Sequence, residues 1–318
     1  MKRIVNTIAF IAIAVACNPF TATADAGQCL PPAPAFKGKC TVPELPTRLP
    51  AAERIVAIGD LHGDLSQTRA VLKKAGIIDN KDAWVGGETV LVHTGDILDR
   101  GDDEPEIMAL FQALKSEARA AGGAVHILNG NHELMNAAGD FRYVTEEGFS
   151  DYSDNASDVD TSAIKQCAEE RRGRAAAFWP GGRAARQLAK NNTALVIGDI
   201  LFVHGAIVPA YANALEQINR DIRCWLAGQG PMPDAAVSPD GPVWSRAFST
   251  DAPDCDLLKE ALSMAHVKKM VVGHTVQPDG IGYACDGRVW RIDVGMSEYY
   301  GGRVEALEIT RSGMRILR

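Results

Sequence analysis

The sequence predicts an α/β layered fold in which central β-sheets are flanked by helices and a mainly helical insertion interrupts the pattern. Short apolar runs alternate with amphipathic stretches of helical period between residues 54 and 131, which is typical of parallel βαβ units. Glycine and polar residues directly follow several of these runs. The 318 residues, 46% of them hydrophobic, are enough to bury a large and mainly aliphatic core.

The alternating region contains three predicted strands and two predicted helices. Gly76 and Gly122 stand where the two helices are expected to end. In chain order the elements are strand RIVAIG (54–59), helix LSQTRAVLKKAG (65–76), strand TVLVHTGD (89–96), helix EIMALFQALKSEARAAGG (106–123) and strand AVHILNGN (124–131).

Residues 139–192 interrupt this rhythm with a polar, loop-like stretch, DYSDNASDVD, followed by helical sequence. We interpret them as a cap-like insertion in a single domain that spans residues 54–318. Beyond the insertion, TALVIGDILFVHG predicts a hairpin, and YANALEQINRDIRCWLAG and LLKEALSMAH predict helices. The ending, GRVWRIDVG and RVEALEITRSGMRILR, predicts antiparallel strands.

Residues 1–26 have the pattern of a secretory signal peptide. A basic start precedes an apolar run from about Ile8 to Ala16, which is too short to span a bilayer. Small residues follow at Ala22, Ala24 and Ala26, and cleavage is expected after Ala26 or after Ala24. An alternative is a lipoprotein signal, because AVAC resembles a bacterial lipobox that would lipidate Cys17. Both interpretations predict export, to the periplasm or medium or to a membrane anchor.

The charge balance argues against two classes of partner. Of 33 basic and 40 acidic residues, the signal peptide carries Lys2, Arg3 and Asp25, so the mature chain has 31 against 39. Basic residues form no dense cluster along it. We therefore expect neither nucleic acid nor an anionic membrane surface as a partner. The sequence makes no prediction of oligomeric state.

The cysteines agree with export. Apart from Cys17 there are six, an even number that allows up to three disulfides in an oxidising compartment. Residues 27–53, the N-terminal arm, are rich in proline and are expected to be extended, with regular structure beginning at Arg54. We predict one pair, Cys29 with Cys40, because the arm has no other visible anchor. Scattered buried thiols are the alternative.

Five polar motifs flanked by glycine end predicted strands. In open α/β sheets the loops at the carboxyl ends of strands converge on one crevice, so distant motifs can share a site. Each motif alone is typical of an ordinary turn, but five in this order would rarely coincide by chance. They are GDLHGD (59–64), GDILDRG (95–101), GNHE (130–133), VHG (203–205) and GHT (273–275).

The expected crevice collects only oxygen and nitrogen donors, a set that suits two divalent ions sharing one carboxylate. Two such ions can bridge a water, lower its pKa and clamp a phosphoryl group for in-line attack. Glycine beside each ligand lets the backbone turn sharply and approach the ions. The donors are Asp60, His62, Asp96, Asn131, His204 and His274.

At these motifs the chain resembles the phosphoprotein phosphatase (PPP) family of calcineurin-like metallophosphoesterases, over most of residues 54–300. GDILDRGDDE, GNHELMNAAGDFRYV and DVGMS are similar to its Shewanella-like protein phosphatase branch. The resemblance implies a metallophosphoesterase-type βαβ sandwich with two divalent metal ions, Mn²⁺ or alternatively Fe or Zn²⁺. One departure is VHGAI, where Ala206 stands in place of a second glycine.

The resemblance also implies residue roles. His132, oriented by Asp99, would protonate the leaving oxygen, and Arg100 would bind the phosphate; an imidazole held by a carboxylate can act as an acid, and a guanidinium fork matches two phosphate oxygens. Arg246 is a candidate second phosphate ligand, with a surface salt bridge as the alternative. The implied ligands are Asp60, His62 and Asp96 for one ion and Asp96, Asn131, His204 and His274 for the other.

The sequence therefore predicts an exported phosphatase that hydrolyses phosphomonoesters by attack of a metal-bridging hydroxide, without a covalent phosphoenzyme. Phosphoprotein or phosphopeptide is the expected substrate, and phosphotyrosine is a hypothesis by analogy with the branch. Alternatives are a small-molecule phosphoesterase, a dinucleoside polyphosphate hydrolase and a non-catalytic phosphate-binding module.

Several further polar and aromatic residues are assigned to structure or to the surroundings of the site. Asp64 is expected to cap the helix that follows it, and contact with the site from behind the metal ligands is the alternative. Three histidines are assigned to structure: His93, His126 and His266. Residues flanking the insertion are expected either to line a substrate pocket or to form the insertion's own small core: Phe141, Arg142, Tyr143, Phe178, Trp179 and Arg183.

Overall fold

A computed structural model describes residues 38–155 and 164–318. The predicted signal peptide, Cys17 and Cys29 lie outside the described residues. Among those described, the strands form two mixed sheets of five and six strands, and the largest hydrophobic cluster takes side chains from both. This confirms the predicted layered α/β fold. No helix in the described ranges is both long and apolar enough to cross a membrane.

The first half of the chain forms the parallel part of the five-stranded sheet, as predicted. Strands β2, β3 and β4 are parallel neighbours in that order. The elements are β1 (Arg48–Leu49), β2 (Arg54–Ile58), α1 (Leu65–Lys74), β3 (Val90–His93), α2 (Glu104–Ala120), β4 (Ala124–Ile127) and α3 (Asn131–Ala137).

The insertion is mainly helical where it is described, as predicted. Phe141, Cys167 and Ala175 form a small hydrophobic cluster inside it. Its helices are α4 (Glu146–Ser150), α5 (Arg172–Phe178) and α6 (Arg183–Leu188), with short 3-10 turns at Ser153–Asn155, Ile164–Gln166 and Glu169–Arg171.

The second half completes both sheets. The hairpin of β5 and β6 is confirmed, and β10 and β11 are antiparallel and extend the first sheet beside β2. The elements are β5 (Ala194–Ile197), β6 (Ile200–Val203), α7 (Pro209–Ala212), α8 (Leu215–Leu226), α9 (Cys255–Met264), β7 (Lys269–Val272), β8 (Gly282–Ala284), β9 (Val289–Arg291), β10 (Ala306–Thr310) and β11 (Gly313–Leu317), with 3-10 turns at Asp234–Ala236 and Glu298–Tyr300.

Two strand predictions need correction. Regular structure begins before Arg54, because β1 in the N-terminal arm pairs in parallel with β5. Strand β9, predicted to be antiparallel, pairs in parallel with β7 and is antiparallel only to β8, a short strand that the sequence did not signal. Strands of two or three residues carry too little alternation to be recognised from sequence.

The predicted disulfide between Cys29 and Cys40 is wrong. Cys40 is bonded to Cys224 on α8, 184 residues away, and Cys255 is bonded to Cys285. The reason is the path of the N-terminal arm, which runs back along α8 and receives a 2.6 Å hydrogen bond from Nη2 of Arg223 to its carbonyl at Pro43. The anchor that the sequence did not reveal is therefore the second half of the chain.

Candidate active site

The five motifs meet where strands of both sheets end. The loops after β2, β3 and β4 supply their residues from the first sheet, and those after β6 and β7 supply theirs from the second. The structure brings all six candidate ligands together, five of them nearly inaccessible to solvent and His274 half-buried: Asp60, His62, Asp96, Asn131, His204 and His274.

The backbone at the site is unusual in a way that the sequence did not signal. His62, Asp96 and His274 all have φ between 47° and 65°, in the left-handed region that non-glycine residues rarely adopt. Asp99 and Arg100 follow with φ of 69° and 75°. Such conformations cost energy and persist where the surrounding structure holds them, most often at functional sites.

Two glycines allow the loops to approach each other. A Cβ atom on Gly130 would lie 2.2 Å from Oδ1 of Asp96, and one on Gly273 would lie 2.5 Å from Oδ1 of Asp60. Both contacts are far shorter than van der Waals distance, so any larger residue would displace a carboxylate. This explains the glycine in GNHE and in GHT.

Asp96 belongs to both groups of side chains that can hold a metal ion. One group joins it to His62 and His132, the other to His204 and His274, and within each group the ligand atoms lie within 4.8 Å of one another. Nε2 of His204 lies 3.1 Å from Oδ2 of Asp96 and 2.9 Å from Oδ1 of Asn131. A shared carboxylate between two imidazole-rich groups fits the donor chemistry of divalent ions.

Asp60 lies beside these groups and does not belong to either. Its two oxygens accept hydrogen bonds from the backbone N of His274 at 3.1 and 3.3 Å, and Oδ1 lies 3.9 Å from Nδ1 of His204. Burial and the charges of Asp293 and Asp96 raise the pKa of Asp60. The site therefore concentrates negative charge that a bound cation would offset.

Asp293, in the DVGMS motif, is a member of this acidic cluster that the sequence reasoning did not assign. Burial raises its pKa to about 6, and its Oδ1 accepts the N–H of Gly295 at 3.0 Å. The residue could have been found from the sequence, because DVGMS is one of the motifs similar to the Shewanella-like protein phosphatase branch.

The imidazoles are suited to bind metal. Burial and neighbouring positive groups lower the pKa of His62 to about 3 and that of His274 to about 2. Both are therefore neutral near pH 7, which is the form that donates a lone pair to a metal ion. These residues could hold divalent ions without first losing a proton.

His132 and Asp99 form the predicted pair. Nδ1 of His132 lies 2.5 Å from Oδ2 of Asp99, and its backbone N donates to Oδ1 of Asp96 at 2.9 Å. Burial opposes a charged imidazole, but the carboxylates of Asp96 and Asp99 outweigh it and raise the pKa of His132. An imidazole held in this way is suited to carry a proton to a leaving group.

Arg100 lies at the open side of His132, with its Nη2 3.2 Å from Nε2 of the imidazole. Three tyrosine rings surround its guanidinium, with centroids 4.4 Å (Tyr143), 5.1 Å (Tyr300) and 5.4 Å (Tyr299) from Cζ. Tyr143 comes from the insertion, and the other two follow DVGMS. The rings contact the guanidinium by cation–π interaction while leaving part of their own surface exposed.

Arg246 lies beside the second metal-capable group. Its Nη1 donates at 2.7 Å to both the carbonyl of His274 and Oγ1 of Thr275, and its side chain is exposed. Over the two ranges that the structure describes it forms no ion pair. The surface salt bridge considered as its alternative role is thus not what holds it.

Glu133, the last residue of GNHE, organises the loop that carries Asp96. Its carboxylate accepts N–H groups from Asp96 at 2.9 Å, Ile97 at 2.8 Å and Gly130 at 2.7 Å. With the N–H of Leu98 at 3.3 Å it receives four backbone donors, and a buried carboxylate bonded in this way fixes the backbone around it. The role of Glu133 could not be predicted from GNHE alone, because three of these donors lie in the loop after β3.

The aromatic residues around the insertion divide between the two expected roles. Phe141 is buried in the insertion's small core. Phe178 belongs to the main hydrophobic cluster, and Trp179 is buried. Tyr143 instead stands against His132, with ring centroids 5.2 Å apart. Arg183 is exposed on α6, and Arg142 pairs with Asp140. Asp64 caps α1 as predicted, accepting the N–H of Gln67 at 2.9 Å.

This site and fold define a class of enzyme, and the comparisons agree. Residues 53–292 match the family of calcineurin-like phosphoesterases, so the chain belongs to that family and is a phosphoester hydrolase. Within it, the chain belongs to the Shewanella-like protein phosphatases. It is 41% identical over 310 residues to Shewanella-like protein phosphatase 2 of Arabidopsis thaliana, covering 86% of this chain and 79% of the relative.

Two further comparisons bear on the fold and the branch. Shewanella-like protein phosphatase 1 of Plasmodium berghei is 29% identical over 256 residues, which cover 77% of this chain and 67% of that one. The crystal structure of a cold-active protein-tyrosine phosphatase from a psychrophilic Shewanella is similar with a TM-score of 0.68 and 26% identity, covering 86% of this chain and 83% of that chain.

Proposed function

We propose that this protein is an exported phosphatase that uses two divalent metal ions to hydrolyse phosphomonoesters of proteins or peptides. The observation that carries the proposal is the position of Asp96. Its carboxylate belongs to both metal-capable groups and also accepts the backbone N–H of His132, so the metal ligands and the candidate acid share one anchor.

Metal ions are the first requirement of the mechanism. When bound, they would activate a water for direct attack on phosphorus and offset the charge of the phosphate. Mn²⁺ is the ion we propose, with Fe or Zn²⁺ as alternatives of the same ligand chemistry. Asp96, Asn131, His204 and His274 would hold one ion. Asp60, His62 and Asp96 would hold the other.

The leaving oxygen needs a proton, and His132 is placed to give it. Asp99 holds Nδ1, so Nε2 faces the side where Arg100 and the tyrosines lie. Arg100 would leave Nε2 of His132 and bind two phosphate oxygens as a fork when substrate enters. Arg246, which donates to the carbonyl of His274, is the proposed second phosphate ligand.

A preference for phosphotyrosine is supported by the surroundings of Arg100. Tyr143, Tyr299 and Tyr300 are 39%, 64% and 36% exposed, which makes them an aromatic rim at the proposed phosphate site. A phenyl ring attached to a phosphate bound by Arg100 would contact this rim, whereas a serine side chain would be too short. A structural relative is named a protein-tyrosine phosphatase, which agrees with the proposal.

Export is supported by the disulfides Cys40–Cys224 and Cys255–Cys285, because disulfides persist mainly in oxidising compartments. Fusing residues 1–26 to a reporter that matures only outside the cytoplasm would test this proposal. Cytoplasmic retention of the reporter would contradict it.

The function itself is tested with the mature protein, stripped of metal and reconstituted with Mn²⁺, Fe²⁺ or Zn²⁺. Phosphotyrosine peptide, phosphoserine peptide and a dinucleoside polyphosphate are compared as substrates, and His132→Ala is the control. We expect the phosphotyrosine peptide to give the highest kcat/KM and the variant to lose at least about 10²-fold. Faster turnover of the dinucleotide would favour the small-molecule alternative. Equal rates on both peptides would remove the tyrosine preference.

A further inference from the structure

Arg174, on α5 of the insertion, is fully buried and uses every N–H that it has. A guanidinium carries five donors in a rigid fork, so five acceptors fix both its position and its plane. The acceptors are Oε2 of Glu104 and the carbonyl of Gly148, both 2.7 Å from Nη1, Oε1 of Glu104 and Oδ1 of Asp99, 3.0 and 3.3 Å from Nη2, and Oδ1 of Asn136, 2.8 Å from Nε.

The fork fixes the side chain of Asp99. Oδ2 of Asp99 contacts His132, while Oδ1 accepts both Nη2 of Arg174 and, at 3.0 Å, Nδ2 of Asn136. Because both carboxylate oxygens are engaged, the group cannot rotate without losing a contact. Asn136 also donates to the carbonyl of His132 at 2.9 Å, which ties the same unit to α3.

The fork also fixes the backbone of Asp99, through Glu104. Oε1 of Glu104 accepts the backbone N–H of Asp99 at 2.6 Å, and both oxygens of that carboxylate are held by Arg174. Asp99 has a φ of 69°, a conformation that must be held in place by its surroundings. Arg174 therefore acts on Asp99 twice, directly and by way of Glu104.

The charges in this buried unit depend on one another. Asp99 and Glu104 are both fully buried, and Arg174 is the cation that contacts both of them. Burial would raise the pKa of Asp99, but its hydrogen bond to His132 and the charges of His132 and Arg174 outweigh it and lower that pKa. Without the guanidinium, two carboxylates would face each other in a dry environment.

We propose that Arg174 is a positioning residue for protonation of the leaving group: it fixes the carboxylate of Asp99, and through it the orientation of the His132 imidazole. The inference rests on the proposed function of His132 as the acid. It gives the insertion a part in the chemistry, because this arginine comes from a segment that supplies none of the metal ligands. Arg174 itself contacts neither the substrate site nor the metal-capable groups.

The test uses the dependence of rate on the leaving group, which a merely structural defect would not change. Aryl phosphates run from 2,4-dinitrophenyl phosphate, whose leaving group needs no proton, to phenyl phosphate, whose leaving group does. Arg174→Gln removes the charge, and Arg174→Lys keeps the charge but loses the fork, which preserves the test if the first variant does not fold. His132→Ala is assayed alongside.

We expect both Arg174 variants to lose 10- to 100-fold in kcat/KM on phenyl phosphate and less than about 3-fold on 2,4-dinitrophenyl phosphate. Manganese content per chain should stay that of the wild type. Arg172→Gln is the matched control. Its guanidinium lies on the same helix and donates to carbonyls of the insertion at Cys167 and Lys165, so it tests loosening of the insertion alone.

The two ideas fail in different ways. Suppose that kcat/KM of His132→Ala depends more steeply on the leaving group than that of the wild type. The positioning role is then overturned if the Arg174 variants lose kcat/KM equally on all aryl phosphates, lose only as much as Arg172→Gln, or lose nothing. If His132→Ala shows no dependence on the leaving group, the proposed acid is wrong, and the role inferred for Arg174 is wrong with it.

Discussion

Nδ1 of His132 lies 2.5 Å from Oδ2 of Asp99, and the other oxygen of that carboxylate accepts Nη2 of Arg174. The imidazole and the guanidinium therefore contact opposite oxygens of one buried carboxylate. The carboxylate that orients His132 is thus itself held from its other side by an arginine of the insertion.

Replacing Asp99 by Asn should reduce turnover strongly. The amide keeps the shape but can present N–H toward Nδ1, which would leave the imidazole in the wrong tautomer. We expect kcat on a phosphotyrosine peptide to fall on the order of 10²-fold with KM within about 3-fold. Asp254→Asn is the control, because Asp254 caps α9 by accepting the N–H groups of Asp256 and Leu257 at Oδ1, and Asn caps a helix as well as Asp does. A fully active Asp99→Asn enzyme would show that this carboxylate does not act through His132.

Asp96 should govern binding of both ions, and His274 that of one. Asn tolerates the left-handed backbone at both positions, where φ is 64° and 65°, so Asp96→Asn and His274→Asn separate loss of a ligand from strain. After dialysis against Mn²⁺ and then buffer, we expect elemental analysis to find about two ions per wild-type chain, about one in His274→Asn and less than one in Asp96→Asn. Two ions in Asp96→Asn would contradict a shared ligand.

Gly130→Ala should damage the site through space rather than through the backbone. Gly130 has a φ of −96°, which alanine adopts readily, but the new Cβ would lie 2.2 Å from Oδ1 of Asp96. We expect kcat to fall at least about 10-fold and the free energy of unfolding by about 1–3 kcal/mol. Gly282→Ala is the control, since its Cβ would have its nearest neighbour, Nη2 of Arg291, at 3.4 Å. Equal activity of the two variants would show that a Cβ at position 130 does not disturb Asp96.

The two disulfides should differ in their effect on stability. They join residues separated by 184 and 30 positions, and a longer closed loop restricts the unfolded chain more. We expect Cys40→Ser/Cys224→Ser to lower the free energy of unfolding by about 3–5 kcal/mol, about 1–2 kcal/mol more than Cys255→Ser/Cys285→Ser. Chemical denaturation of both double variants measures the difference. A larger fall in the free energy of unfolding for Cys255→Ser/Cys285→Ser would show that packing in the folded state matters more than the length of the closed loop.

His126, on the edge strand β4, should make the protein sensitive to acid. Burial, and then the charge of Lys115, lower its pKa from 6.5 to about 4. Between these values the unfolded chain binds more protons than the folded one, so the contribution of His126 is complete above pH 6.5 and is lost toward pH 4. Between pH 7 and 4.5 the free energy of unfolding should fall by about 1–2 kcal/mol less in His126→Gln than in the wild type, after allowance for the partial exposure of His126. Urea titrations at both pH values measure this difference. An equal fall in the free energy of unfolding in the two proteins would show that His126 does not cause the acid sensitivity.

The metal-capable residues were accessible to prediction because each follows a strand within a glycine-bounded motif. Periodicity locates the strand end, and sheet geometry then places His62 and His274 at one crevice although 212 positions separate them. Asp64 was predicted on equally local grounds, since a cap and its helix are adjacent in sequence.

Other parts of the site could not be predicted in this way. Arg174 lies in a helix whose sequence, RGRAAAF, indicates nothing about what its arginine contacts, because Asp99 and Asn136 reach it from other elements. Cys40 pairs across 184 residues, and no spacing rule selects a partner at that distance. These relationships depend on how the elements pack.

The candidate metal ligands are synthesised in two stages, separated by the insertion. The candidate ligands from the first sheet precede the insertion, and His204 and His274 follow it. A chain growing from its amino end thus acquires the donors of one half-site long before those of the other. Until His274 has been synthesised, the polypeptide lacks a full set of donors for the group that also contains Asp96 and His204.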